Sequence, residues 1–419
     1  SHVSPDGWVQ RLLIALAFGG VLESDTGFGT SEAIPAGILI SMGYKPLRAA
    51  ILCLVANTVP VAFGLLGTPV ITLARLTGLS VGSLSVLTAL QLSPIIVFLP
   101  LVLVVVITGK MKGLRGVALL SLGSGIMFSL GQTLTAWFLG PELPAVIGSI
   151  AAGGFIIMWS RLFPVKTPWP ADPVDTPVVD PVDSPRAGVR RTITAIMPYV
   201  LILLFTILLR IPANVDFFSS PFFTPKVTIY GGQNAASVQI PWASGAGTVL
   251  IITGIISGFA QGLSIRRLLR TLAVTFRKIG LTAVTVLSIV ALARVMTYSG
   301  MVYSLAVAAG TLGIWFPLLS PFIGMIGTFL TGSDTSSNIL FGSLQKESAI
   351  AAGVEPEWLA AANTSGATAG KMISPQSLSI AAASTGLAGR EKELFRGTVW
   401  FCVAYVAVMA IIVFAVTLF

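Results

Sequence analysis

The sequence predicts an all-α polytopic membrane protein made of two inverted repeats, with broken, re-entrant helices meeting near the bilayer midplane. Three observations predict it. Hydrophobic residues make up 54% of the 419 positions and charged residues only 10%, with a mean hydropathy of +0.91. Such a chain is solvated by lipid. Two polar, glycine-rich stretches interrupt the apolar sequence, and irregular backbone at membrane depth survives only where it lines a cavity or is buried in protein. Finally, these two stretches share their landmarks in the same order.

The second stretch, 331–377, opens with TGSDTSSN at 331–338 and closes with GATAGKMISPQS at 366–377. The first unit, 23–69, carries SDTGFGTSEAIP from Ser24. Each unit continues through an apolar helix, a G-x-x-P turn (Gly43 to Pro46; Gly353 to Pro356), and a short Ala-rich helix. Both end in Ala-Asn-Thr, at 56–58 and 362–364. Shared order at similar spacing marks the duplicated units of transporters.

In chain order, Trp8 to about Glu23 is an apolar helix entering the first break, and Leu47–Asn57 is the second helix of that unit. Spans follow at about Ser85–Thr108, Val117–Leu139 and Leu143–Ser160, with a basic loop at 110–115 and a Gly140-Pro141 turn between them. Residues 1–162 form an N-terminal half. Residues 163–191 repeat Pro-Val-Asp and Thr-Pro and read as an extended cytoplasmic linker. The C-terminal half, 192–419, holds spans at about Thr192–Leu209, Ala243–Leu263, Ile279–Ser299, Trp315–Leu330 and Val399–Leu418. A polar connection fills 212–242, and the basic stretch 264–278 reads as a helix lying on the membrane surface.

A net charge of +9 suggests nucleic acid at first. The basic residues instead fall in short loops at 110–115, 161–191, 264–278 and 389–396, and one cytoplasmic side holds all four. That placement gives the two broken units opposite orientations. Lys45, Arg48 and Arg75 then lie outside, against the trend. Cys53 and Cys402 sit in apolar runs and His2 is the only histidine. No disulfide framework, metal site or cofactor is expected. The chain does not start with methionine and is expected to begin partway through a longer protein.

The chemistry this pattern suits is capture of a small anion against its hydration. Ser333, Thr335, Ser336, Asn338, Asn57, Thr58, Asn363 and Thr364 offer hydroxyls and amides, and free helix-end N–H groups add donors. Gly27, Gly29 and Gly332, with Gly366 and Gly370, allow close backbone approach. Taken singly, a serine or threonine here is a helix cap. As a set within two related breaks, they form a substrate site. Asp334 is the first proton-coupling candidate, because a mid-membrane carboxylate is costly and suited to taking up a proton. An aspartyl protease built on Asp25 and Asp334 is the competing enzyme reading; both residues lie in S-D-T within duplicated polar stretches, and the chain is expected not to be an enzyme. A passive channel is the other alternative.

GFGTSEAIPAGILISMGYKPLRAAILCLVANTVPVAFGLLGTP at 27–69 resembles a signature of the bacterial L-lactate permease family, which includes glycolate permeases. TFLTGSDTSSNILF at 328–341 and AANTSGATAGKMISPQSLSIA at 361–381 resemble its second signature, and GPELP at 140–144 and Tyr298-Ser299-Gly300 match in register. The resemblance implies a multi-pass protein of the bacterial cytoplasmic (inner) membrane. It would import L-lactate, D-lactate, glycolate or a related 2-hydroxymonocarboxylate with protons, by alternating access. A sodium-coupled carrier of another small organic anion is the alternative. Expected partners are the carboxylate, protons (or sodium) and membrane lipid, with no nucleic acid, and a homo-oligomer is left open.

Glu23 matches the family's first motif, which makes it the second proton-coupling candidate. Family members carry further N-terminal spans that this sequence lacks. The family motif reads closer to LEGAAGFG, whereas here Ser24, Asp25, Thr26 and Glu32 are more polar or acidic. Arg294 likewise replaces an apolar residue. Arg294, Asp25, Glu32 and Lys371 are therefore charge-pair candidates. Three roles are open to Arg294: a buried pair with Asp25 or Glu32, a hold on the substrate carboxylate, or a side chain reaching the outer surface.

Overall fold

The computed structural model describes residues 7–25, 29–108, 114, 116–163, 194, 197–198, 200–202, 204–205, 208–209, 211–230, 236–240 and 242–418. The linker expected at 163–191 lies outside the described residues apart from Phe163, as do most of the basic loop 110–115 and parts of the span at 192–209.

The chain is an all-α polytopic membrane protein. Among the described residues, four helices are long and apolar enough to cross a membrane, and two bent helix pairs reach that length together. Two compact units divide the chain: 1–179 with 285–419, and 180–284.

The first unit begins with α1 (Gly7–Leu12), a π-helical turn (Leu13–Phe18) and α2 (Gly19–Asp25). Gly29 (φ 84) then caps α3 (Thr30–Ser41). Pro46 occupies the first turn of α4 (Pro46–Ala56), where its missing N–H has no helical partner to lose. After a 3-10 turn (Val61–Phe63) comes α5 (Gly64–Thr77), bent at 60° to α4 across the break. Leu65 and Leu66 take left-handed backbone (φ 44 and 55), a strain of about 1–3 kcal/mol each. Next to them, the Cβ that Gly67 lacks would lie 2.2 Å from the Pro141 carbonyl oxygen. The GPELP turn is therefore packed directly on the bend between α4 and α5.

Three helices frame this break: α6 (Val81–Thr108), α7 (Ala118–Phe138) and α8 (Pro144–Leu162). The inner face of α7 buries Ser121, Ser124, Gln132 and Thr135. Those polar residues explain why it is absent from the four strongly apolar spans.

The same unit resumes within α11 (Ile265–Tyr298). A surface helix and a separate span are expected there, but no proline interrupts the stretch and the helix runs on for 34 residues. It bends by 70° at Ser299-Gly300 into α12 (Met301–Gly310). Then follow α13 (Phe316–Thr331), α14 (Asp334–Ala352), α15 (Pro356–Lys371), α16 (Pro375–Ser384) and α17 (Glu391–Val416).

Helices α13 and α15 pack with almost no side chain between them. A Cβ on Gly366 would lie 2.1 Å from the Pro321 carbonyl oxygen, one on Gly370 2.2 Å from that of Met325, and one on Gly324 2.1 Å from that of Asn363. Gly366 and Gly370 are one turn apart, and this spacing of small residues brings helix backbones together where lipid supplies no hydrophobic drive. Every residue of α15 from Trp358 to Lys371 is buried.

The second unit, 180–284, holds α9 (Pro212–Phe218), α10 (Ala246–Ala260) and the start of α11. Its connection is more ordered than the polar sequence suggests. Strands β1 (Lys226–Tyr230) and β2 (Ala236–Gln239) pair antiparallel, with Lys226 opposite Gln239 and Val227 opposite Val238. Phe217, Phe218, Phe222, Phe223 and Trp242 pack edge to face beside this ribbon.

Candidate functional site

Each break turns through a left-handed glycine, Gly29 or Gly332. In the later one, α13 ends at Thr331, Gly332 turns the chain through left-handed backbone (φ 74), and the Ser333 hydroxyl accepts the Ser336 N–H at 3.3 Å. This cap sets Asp334 in the first turn of α14, at the helix's positive end. In the earlier break, Glu23 lies on α2 just before the chain turns, and Glu32 lies in the first turn of α3. Helix α16 starts against both turns. A Cβ on Gly29 would meet Ile380, and one on Gly332 would meet Gln376.

Between the breaks lies a buried group of four charges. Lys371, the last residue of α15, donates from Nζ to Glu23 Oε1. Ser31 donates to the other Glu23 oxygen, Oε2. Glu32 and Asp334 lie within electrostatic reach of the same ammonium, and Ser377 stands beside Glu32. Exposure is 3% at Glu23, 1% at Glu32, 3% at Asp334 and 8% at Lys371. Three carboxylates thus face one lysine, and neither Asp334 oxygen nor Glu32 Oε2 has a hydrogen-bond partner among the described residues.

The amides form a separate, largely saturated network. Asn338 donates to the Pro69 carbonyl at 3.1 Å, and its Oδ1 accepts from Asn363 (2.8 Å) and Thr364 (3.1 Å). Gln345 donates to Asn363 Oδ1 and to the Ser320 carbonyl, and Ser320 donates back to Gln345. Gln91 on α6 donates to the Trp358 carbonyl and accepts from Ser365. These bonds tie α5, α6, α13, α14 and α15 together.

The residues expected at the site therefore divide. Asp334, Glu23, Glu32 and Lys371 come together. Asn338, Asn363 and Thr364 bond to one another. Asn57 donates to Glu32 Oε1 at 3.0 Å and keeps Oδ1 without a partner, while Thr58 donates to its own helix at Val55. Ser333 is a cap, Ser336 is buried beside it, and Thr335 is half-buried on the first turn of α14. Gly27 and Thr26, together with the Asp25 side chain, lie outside the described residues. The Arg294 side chain is exposed, and among the described residues the buried ion pair is Lys371–Glu23.

Gln345, Gln91, Ser320 and Ser31 are absent from the sequence-derived set. Gln345 falls two helical turns after Asn338, on the same face, and Gln91 is a lone amide in an apolar span. Both signals were available. Among the described residues, no group of three metal-ligating side chains occurs.

A polytopic helical fold that buries an ion pair and two further carboxylates between paired helix breaks defines a membrane transport protein. Residues 1–419 match the L-lactate permease family. The chain is 40% identical to the L-lactate permease of Streptococcus iniae over 86% of its own length and 74% of that protein. It is 33% identical to the L-lactate permease of Bacillus subtilis (strain 168), over 98% and 79%. Against the glycolate permease GlcA of Escherichia coli (strain K12) it is 36% identical over 98% and 78%. No solved structure matches. The chain belongs to the L-lactate permease family and is a multi-pass protein of the bacterial inner membrane.

Proposed function

We propose that this protein imports L-lactate, glycolate or a related 2-hydroxymonocarboxylate together with protons, by alternating access. The names of its relatives support the substrate class. The buried charge group is the observation that carries the coupling. One ammonium neutralises one of three carboxylates, and a second or third carboxylate left ionised and unpartnered away from water costs several kcal/mol. Protons relieve that cost, and an entering anion adds to it, so anion and proton enter together. Two groups are placed to carry the proton: Asp334, whose two oxygens lack partners, or Glu23, in contact with Lys371.

Alternating access is supported by the placement of the basic loops, which gives the two breaks opposite orientations and lets the core between them open to either side in turn. A sodium-coupled reading has its own support. Glu32 Oε2, Asn57 Oδ1 and the Asp334 oxygens are hard donors without partners. Purified protein in liposomes, with pH and sodium gradients imposed separately, decides between them. Radiolabelled lactate should accumulate with an inward proton gradient alone. Accumulation only with a sodium gradient transfers the coupling to sodium, and flux without accumulation makes the protein a channel.

A further inference from the structure

We propose that Lys371 is the residue that holds the substrate carboxylate, and that Glu23 occupies it in the substrate's absence and leaves it on taking up the transported proton. This rests on the reading of the protein as a carboxylate importer and names the coupling device of that same site.

A lysine ammonium has three N–H donors. Among the described residues, the one hydrogen bond the Lys371 ammonium makes goes to Glu23 Oε1, and Glu32 and Asp334 face it without bonding to it. A buried ammonium is thus held by a single carboxylate with two donor directions to spare. A 2-hydroxycarboxylate presents a carboxylate and an adjacent hydroxyl, which fit that geometry. Lys371 also ends α15 at the point where the chain breaks before α16, so the ligand would sit among the helix ends at 372–374.

Glu23 is the natural competitor. Its Oε2 already accepts from Ser31. A proton on Oε1 removes the charge that binds Lys371 while the Ser31 contact stays. The exchange balances: ionised Glu23 paired with Lys371, plus one proton and one carboxylate anion, becomes neutral Glu23 and a Lys371–substrate pair. Net charge in the group is unchanged, so one proton accompanies one anion. Among the described residues, the remaining titratable groups facing this site are Glu32 and Asp334, with Cys53 beside Glu32 and Tyr405 beside Asp334.

The test is equilibrium binding of radiolabelled L-lactate and glycolate to purified protein in detergent between pH 5 and 9. Wild-type affinity should weaken by about tenfold per pH unit at the alkaline end, the slope for one linked proton. Glu23→Gln should remove that slope, whereas Glu32→Gln and Asp334→Asn should keep it. Lys371→Met should weaken binding on the order of 30-fold or more at every pH, and Lys371→Arg should recover part of it. If Lys371→Met misfolds because Glu23 is left unpaired, the double variant Glu23→Gln/Lys371→Met removes both charges; it should elute as folded protein yet fail to bind. Wild-type affinity in Lys371→Met or in the double variant overturns the proposal. So does a slope that survives Glu23→Gln and disappears in Asp334→Asn. Wild-type protein that binds neither anion at any pH defeats the broader transport reading instead, which keeps the two failures distinct.

Discussion

Asn57 donates an amide proton to Glu32, 25 residues earlier, at 3.0 Å, and Asn363 repeats that bond to Asn338, also 25 residues earlier, at 2.8 Å. The two units therefore share an internal tie between the end or middle of the Ala-rich helix and the first turns of the helix before it. Asn57 follows Asp25 by 32 positions and Asn363 follows Asp334 by 29. Because the ties have equal length, the three extra residues of the first unit lie between Asp25 and Glu32, at the break. Glu32 takes the place of an amide.

Glu32→Gln should consequently preserve the fold. The glutamine oxygen accepts from Asn57 as the carboxylate does, and a buried charge is removed. Glu32→Ala leaves the Asn57 amide buried without its acceptor and should cost about 1–3 kcal/mol. Thermal unfolding in detergent, followed by size-exclusion recovery, should rank the glutamine variant at or above wild type and the alanine variant below it.

Gly366→Ala should be far more damaging than its chemistry suggests. The added methyl would lie 2.1 Å from a backbone oxygen on α13, which has no side-chain freedom with which to retreat. The helices must separate, stretching the Gln345, Asn363 and Ser320 bonds that cross between them. Gly254→Ala on α10, where a Cβ meets nothing within 4 Å, should be harmless or slightly stabilising by helix propensity. A similar loss of melting temperature in both variants would refute close helix approach as the cause.

Access to the two breaks should change in concert. Cys53 is buried one turn before Asn57, and Ala362 is buried immediately before Asn363. With Cys402 replaced by alanine, maleimide labelling of Cys53 and, in a Cys53→Ala background, of Ala362→Cys should respond together when lactate is added. Independent responses would mean that the units do not move as one substrate-carrying core.

Arg294→Ala should leave stability within about 0.5 kcal/mol of wild type, because its side chain is exposed and Glu32 bonds to Asn57. Combining it with Glu32→Ala should give the sum of the single effects, since sites without shared partners add. Rescue of one variant by the other would restore the buried pair between them.

Hydropathy alone placed this chain in a membrane, because lipid demands long apolar helices and tolerates no unpaired backbone. The breaks were legible as well. Gly332 and Ser333 are the turn and the cap that any helix end needs, and the duplication of S-D-T and A-N-T pointed to a paired site. What an asparagine does there was not legible. Asn338 and Asn363 are amides of the type that binds carboxylates, yet the approach of α13, α14 and α15 over small residues turns them toward each other and engages both ends of each amide. Glu23 and Lys371 are 348 residues apart. Local spacing carries no information across that distance, and only the tertiary structure, which brings Glu23 on α2 to Lys371 at the end of α15, decides that one lysine serves three buried acids.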